Sequence, residues 1–267
     1  MRGVRIICAS SLGFFLMLIL SGAIGGTFGN LLYYLALPVS GFLTLFICKR
    51  DLSEERMLSI KGRKLKGSLA YVFPTVILVM TVSYLTALFF SLFGISTDEK
   101  ITEPLPIAIL VYALYPAVFE ELLFRYIPLR LSDKMPRGML VVVSSVAFAL
   151  VHADLTAIPY ALIAGAIFIL VDLKYRSVIP SLIMHFTNNL CSVLYMLYSS
   201  YEGFHLLYFG LLSLLAAISL FFILKKEKQR DGAFKAPILG TFGKLESYNE
   251  LIALAIPTML VAVVKLF

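Results

Sequence analysis

Tryptophan is absent from this chain of 267 residues, and charged residues make up only 15% of it. The three cysteines, Cys8, Cys48 and Cys191, stand at unrelated spacings, so they predict neither a disulfide framework nor a cysteine-based metal cluster. A soluble domain is excluded because 60% of the residues are hydrophobic. The sequence therefore predicts a membrane protein in which the 14 tyrosines replace tryptophan as interfacial anchors.

Long apolar runs predict an all-α, polytopic transmembrane helical bundle of about eight or nine spans, since a span needs about 20 apolar residues. We place the spans at 6–26, 29–48, 68–96, 105–131, 139–154, 155–173, 177–198, 203–224 and 249–267. The first run follows two arginines, as in a signal peptide, but no small-residue cleavage site follows it, which favours a retained helix. The last run contains Pro257, so either a span or a helix on the membrane surface fits it.

The basic residues orient the chain. With a cytoplasmic N-terminus, all of the 23 Lys and Arg residues except Lys100 and Lys265 fall in cytoplasmic segments, chiefly the loop 49–67 and the tail after 225. The net charge of +7 is thus explained without a nucleic-acid partner, and we interpret the basic segments as topological anchors beside anionic lipid. Short loops without targeting signals predict a multi-pass protein of a bacterial cell membrane.

Polar side chains interrupt three of the predicted spans, where an ionisable group costs about 2.5–3.5 kcal/mol on insertion scales. Counting 1.5 Å per residue from the inner helix ends places Glu120, His152, His185 and Asn189 at depths of about 13–22 Å. Three helices therefore deliver polar groups to one layer of the membrane. This pattern predicts either a wet cavity or polar packing between helices.

Spacing within the fourth predicted span separates its two glutamates. Glu121 and Arg125 are four residues apart with the acid first, which favours an ion pair along the helix. Glu120 projects about 100° away from Glu121 and lacks that partner. Glu120 is therefore the better candidate for a base that activates water.

Other polar residues are interpreted as structural. Asp154 follows His152 and precedes a new helix, which is typical of a helix cap. Asp172 lies next to Lys174 and Arg176 and is expected at the inner membrane boundary. We interpret His205, which has no polar neighbours at helical spacing, as an interfacial residue.

Three motifs occur in order on separate predicted spans: Glu120-Glu121-x-x-x-Arg125, Phe148-x-x-x-His152 and His185-x-x-x-Asn189. They resemble the signature motifs of the CAAX-protease and bacteriocin-processing family of intramembrane proteases, also called CPBP or Abi. That family includes the eukaryotic prenyl-protein endopeptidase. We draw a catalytic core at 104–200, between N-terminal spans in 1–103 and C-terminal helices with a basic tail in 201–267.

The resemblance implies an endopeptidase that cleaves a membrane-associated protein or peptide precursor. It implies that Glu120 and His152 activate the attacking water, while His185 and Asn189 stabilise the oxyanion. It gives supporting roles to three further motif residues: Glu121, Arg125 and Phe148.

The cofactor is expected to be either none or zinc. Glu120, His152 and His185 would suit zinc with a water in the fourth position. The chain lacks the His-Glu-x-x-His helix typical of zinc proteases, which favours the metal-free reaction.

Two other functions remain open on the sequence alone. A non-catalytic membrane scaffold or regulator, such as the partner of a sensor kinase or a bacteriocin immunity factor, would use the polar cluster for packing. A small transporter or proton relay would also use intramembrane Glu and His, but it predicts an internal repeat, which the sequence lacks. For the protease, a peptide precursor or membrane protein is the predicted substrate, since protein prenylation is not expected in bacteria.

Overall fold

The computed structural model of the chain describes residues 20, 23–24, 26–49, 57–95, 101–131, 137–152 and 154–228. These residues form helices joined by short turns, and they include no strand. The predicted all-α fold is confirmed for this part of the chain.

The helices are α1 (Gly26–Cys48), α2 (Arg63–Leu69), α3 (Val72–Ser91), α4 (105–131), α5 (Arg137–Val151), α6 (Ile158–Tyr175), α7 (Ile179–Tyr198) and α8 (Phe204–Lys228). The long helix α4 is composite. It is α-helical at Leu105–Ala108, Tyr115–Glu121 and Ile127–Leu131, and π-helical at Ile109–Leu114 and Leu122–Tyr126.

Four stretches of the described chain are long and apolar enough to cross a membrane: Arg63–Ser91, Leu105–Arg130, Ile158–Tyr175 and Phe204–Lys225. The helix α7 has 20 residues, but the polar side chains of the third motif dilute its apolar surface. The predicted spans 6–26 and 249–267 lie largely or wholly outside the described residues. The count of eight or nine spans and the cytoplasmic N-terminus therefore stay predictions.

The helix α5 is shorter than the span predicted at 139–154. It has 15 residues and ends at Val151, so it is about 22 Å long against a hydrocarbon core of about 30 Å. His152 consequently lies in the turn after α5 rather than inside a helix, which corrects the predicted span. The next turn contains Asp154, whose Oδ1 accepts the N–H of Thr156 at 2.8 Å. This contact closes a turn ahead of α6, whose N-cap residue is Ala157 and has no side-chain capping bond, so the predicted helix cap at Asp154 is wrong.

Prolines shape α4 on both sides of its two glutamates. Pro116 and Pro128 have no backbone N–H and cannot donate to the carbonyl four residues back. A π-helical segment ends two residues before each proline. The first backbone N–H after each segment bonds the carbonyl five residues back. The Phe124 carbonyl, which Pro128 leaves without its helical donor, accepts the Ser144 hydroxyl of α5 instead. The π-helical segments, which often mark functional sites, were not predicted from the sequence.

One core cluster joins five helices around the second motif. Its members include Val76 of α3, Phe148 of α5, Phe168 of α6, Met184 of α7 and Leu212 of α8. Helices α5 and α6 approach closely because Gly165 has no side chain. A Cβ atom on Gly165 would lie 3.0 Å from the Ser145 Cα and 3.2 Å from the Phe148 Cδ1. Small residues are what allow helix backbones to come this close in membranes.

We expect Gly165→Ala to lower the melting temperature of the detergent-solubilised protein, because the new methyl group meets backbone and overpacking typically costs about 1–3 kcal/mol. Gly210→Ala in α8 is the matched control, since a Cβ atom added there would have no neighbour within 4 Å. At Gly210, only the intrinsic helix preference for Ala over Gly should change the stability, raising it by about 1 kcal/mol. Equal stabilisation by both substitutions would show that the α5–α6 contact is not tight.

Candidate active site

The two glutamates of α4 lie inside the helix bundle with Arg125. Glu120 is 9% exposed, Glu121 2% and Arg125 0%. Buried charges require partners, because transfer of an unpaired charge out of water is strongly unfavourable. The partners found here come from α5, α6 and α7, so four helices build the site.

Glu121 pairs with a cation on its own helix and with an imidazole on α7. Its Oε1 lies 3.1 Å from Arg125 Nη1, in the ion pair expected from the spacing, and 2.8 Å from His185 Nδ1. A carboxylate that accepts from Nδ1 fixes both the tautomer and the direction of the ring. The other ring nitrogen, Nε2, faces Glu120, with 3.9 Å between Nε2 and Glu120 Oε2. This separation is too long for a hydrogen bond, and a water-sized group can bridge it.

Arg125 is held between aromatic rings. Its guanidinium carbon lies 4.0 Å from the centre of the Phe148 ring and 5.3 Å from that of Phe168. Cation–π attraction strengthens when the pair is desolvated, to about 2 kcal/mol or more. Phe148 thus supports the site as expected, whereas the role of Phe168 on α6 was not predicted.

Phe148 also contacts both histidines of the motifs. Its ring centre lies 5.2 Å from that of His152 and 5.4 Å from that of His185, and both contacts are edge-to-face. His152 Nδ1 lies 2.9 Å from the Phe148 carbonyl oxygen, which leaves Nε2 as its free nitrogen. Within the described chain, no hydrogen bond or ion pair joins His152 to Glu120. The structure therefore brings Glu120 and His185 together directly, and His152 only through Phe148.

Asn189 lies one helical turn beyond His185 on α7. Its side-chain oxygen accepts from the Asn188 amide at 3.4 Å. The amide N–H₂ group of Asn189 is then the part of the side chain left to donate a hydrogen bond to another group.

Asp172 was missed as a member of the site. It was expected at the inner membrane boundary, but it is fully buried, and its Oδ1 accepts the Ser181 N–H at 3.1 Å. The Ser181 hydroxyl donates to the Val178 carbonyl at 3.0 Å, which holds the first turn of α7 beside Asp172. Helical spacing in the sequence could have placed Asp172 in the site. Asp172 lies four residues after Phe168 and Ser181 lies four residues before His185, so each pair shares one face of its helix.

Several buried polar atoms of the site have no hydrogen-bond partner within the described chain. They are Glu120 Oε2, Glu121 Oε2, Asp172 Oδ2, and Nε and Nη2 of Arg125. Buried polar groups are normally satisfied by protein partners or by ordered water. These donors and acceptors can therefore bind water or a polar ligand.

The donor set for zinc is not assembled in this arrangement. A catalytic zinc ion takes three protein ligands, and no three His, Cys, Asp or Glu side chains of the described residues lie close enough to hold a metal. Of the predicted ligands, Glu120 and His185 approach each other. His152 instead contacts Phe148 and Tyr160.

Residues 102–191 match the family model described as type II CAAX prenyl endopeptidase Rce1-like. This segment of the chain is similar to the Rce1-like CAAX proteases. The predicted recognition of a CPBP-type intramembrane protease is thereby confirmed over these residues. No curated protein and no solved structure matches the chain. The Rce1-like segment (102–191) contains all three motifs together with Phe168 and Asp172. A role in bacteriocin processing or immunity stays a prediction.

We expect Arg125→Ala to lower the free energy of unfolding by about 3–5 kcal/mol, because it leaves the Glu121 carboxylate buried without its cation. The control is Arg130→Ala on the same helix, where the guanidinium donates to the Tyr126 hydroxyl and is not fully buried. That substitution should change stability by about 1 kcal/mol or less. Thermal unfolding in detergent measures both, and a similar small effect of the two would contradict the central role of Arg125.

Proposed function

We propose that the chain is an intramembrane endopeptidase that hydrolyses peptide bonds of a membrane-associated protein or peptide precursor. The observation that carries this proposal is the pair of Glu120 Oε2 and His185 Nε2, which face each other across 3.9 Å in a buried position. The similarity of residues 102–191 to a prenyl endopeptidase family supports the reaction class.

In the proposed reaction, Glu120 is the general base. Its carboxylate accepts a proton from water as the water oxygen bonds to the carbonyl carbon of the substrate. The carbonyl π electrons move to oxygen, and collapse of this oxyanion breaks the C–N bond. The proton held by Glu120 then passes to the leaving amine. The free Nε2 of His152 makes it a second group that orients or deprotonates the water.

The oxyanion would be stabilised by donors on α7. His185 donates from Nδ1 to Glu121, so a second N–H at Nε2 makes an imidazolium, and the Glu121 carboxylate balances its charge. Asn189 supplies the amide donor on the next turn. Fixed donors of this type are worth about 10²–10³ in rate each, since they need no reorganisation as charge develops.

Glu120→Gln is expected to reduce peptide cleavage at least about 100-fold while leaving the melting temperature nearly unchanged, because the amide keeps the shape but cannot accept the proton. Purified protein would be assayed with quenched-fluorescent peptides, with and without a membrane-anchoring alkyl group.

Glu103→Gln is the matched control for this assay. Glu103 precedes α4, and hydrogen bonds from its own backbone N–H and from the Tyr112 hydroxyl hold its carboxyl pKa below the ordinary value. It is ionised at neutral pH yet lies outside the site, so its amide variant should cleave as the parent does. Full cleavage by Glu120→Gln would contradict the role of Glu120 as the base. A cellular phenotype retained by a Glu120→Gln variant that no longer cleaves would favour a membrane scaffold.

The metal-free route is the second part of the proposal, supported by the lack of a three-ligand group around Glu120 and His185 among the described residues. We expect treatment with EDTA to change the cleavage rate less than about twofold and elemental analysis of active protein to find less than one zinc per chain. A large loss of activity that zinc restores would contradict the metal-free route without contradicting the role of Glu120.

A further inference from the structure

A basic pocket lies where the loop before α2 meets the turn between α6 and α7. This cavity measures about 470 Å³, a size in the usual range for small-ligand sites. Four cations line it: Lys61, Arg63, Lys64 and Arg176. We call it the basic pocket. It is separate from the residues proposed for catalysis.

The cations are brought together by backbone contacts, not by chance orientation of long side chains. Val178 N–H donates to the Met57 carbonyl at 2.9 Å, and the Ser177 hydroxyl donates to the same oxygen at 3.1 Å. Met57 and Val178 are both buried in one apolar cluster. These contacts fix the loop that carries Lys61 against the turn that carries Arg176. Four like charges therefore share one cavity, and an anion bound between them would relieve their mutual repulsion.

Arg176 occupies a backbone conformation that normally favours glycine. It ends α6 with φ 53° and ψ 49°, and it is the one residue other than glycine with positive φ in the described chain. The left-handed conformation costs about 1–2 kcal/mol for a residue with a side chain. Strain of this kind is a reason to look for a function of the side chain. Here it places a guanidinium at the pocket.

Among the described residues, no acidic side chain contributes to the pocket. None of its four cations forms an ion pair in the described chain, and no carboxylate lines the cavity. A guanidinium group binds phosphate oxygens through two parallel N–H donors, and an ammonium group binds them as a point charge. The pocket also adjoins Arg63, where the candidate span Arg63–Ser91 begins, so it lies at a membrane boundary. Basic pockets between helices at such boundaries bind lipid head groups.

We propose that the basic pocket binds the phosphate group of an anionic lipid head group. The proposal does not rest on the protease activity, because it uses neither Glu120 nor His185. Free inorganic phosphate offers the same chemistry without the acyl chains, and the two sources are separated by experiment.

Native mass spectrometry of the full chain in detergent would measure the affinity for dioleoyl phosphatidic acid, dioleoyl phosphatidylcholine and inorganic phosphate. We expect saturable binding of one phosphatidic acid per chain, with phosphatidylcholine and inorganic phosphate at least tenfold weaker. Lys64→Gln/Arg176→Gln should weaken phosphatidic acid binding at least tenfold. The matched control, Lys66→Gln/Lys225→Gln, removes the same charge from exposed positions outside the pocket and should change the affinity less than twofold.

Three results would overturn the proposal. Equal losses in the two double variants would show a diffuse charge effect, absence of saturable binding would show no site, and equal affinity for inorganic phosphate would identify a free anion as the ligand. Arg63→Gln/Lys64→Gln serves as a second pocket variant if the first lowers the melting temperature. Raising the salt concentration should weaken binding to the parent more than to the pocket variants, because the attraction is electrostatic.

Discussion

The ion pair between Glu121 and Arg125 is the interaction on which the site depends. Arg125 is fully buried in an apolar bundle, so its charge is tolerable only beside a carboxylate and between aromatic rings. Each of those partners has a second task. Glu121 orients His185 on α7, and Phe148 contacts both imidazoles while it packs against Phe168. Loss of the pair would therefore disturb four helices rather than one.

A single turn contributes to both the buried site and the basic pocket. Asp172, near the end of α6, places its carboxylate inward beside Ser181, while its carbonyl accepts the N–H groups of Arg176 and Ser177. Arg176 points its charge to the basic pocket. The turn that positions α7, and hence His185, is thus the same turn that holds a cation at the membrane boundary.

Sequence reasoning found what local spacing determines. The Glu121–Arg125 pair follows from a separation of four residues, and the turn at Asp154 follows from its place before a new helix. The burial of Asp172 could not be read from depth along a helix axis, because α7 folds back over it after the left-handed residue Arg176. The π-helical segments depend on a tertiary contact from Ser144 and on which carbonyls the prolines leave free. The position of His152 depends on the residue at which α5 ends, and the apolar sequence of this helix does not indicate that residue.

The short helix α5 has a consequence for the lipid around it. Val142 on this helix is 47% exposed, so the helix presents apolar surface outward although it is about 8 Å too short for the hydrocarbon core. A bilayer answers such a mismatch by local thinning. Head groups and their hydration would then dip toward the end of α5, where His152 begins the turn. The protein would in this way draw bulk solvent toward His152, where the proposed hydrolysis needs it.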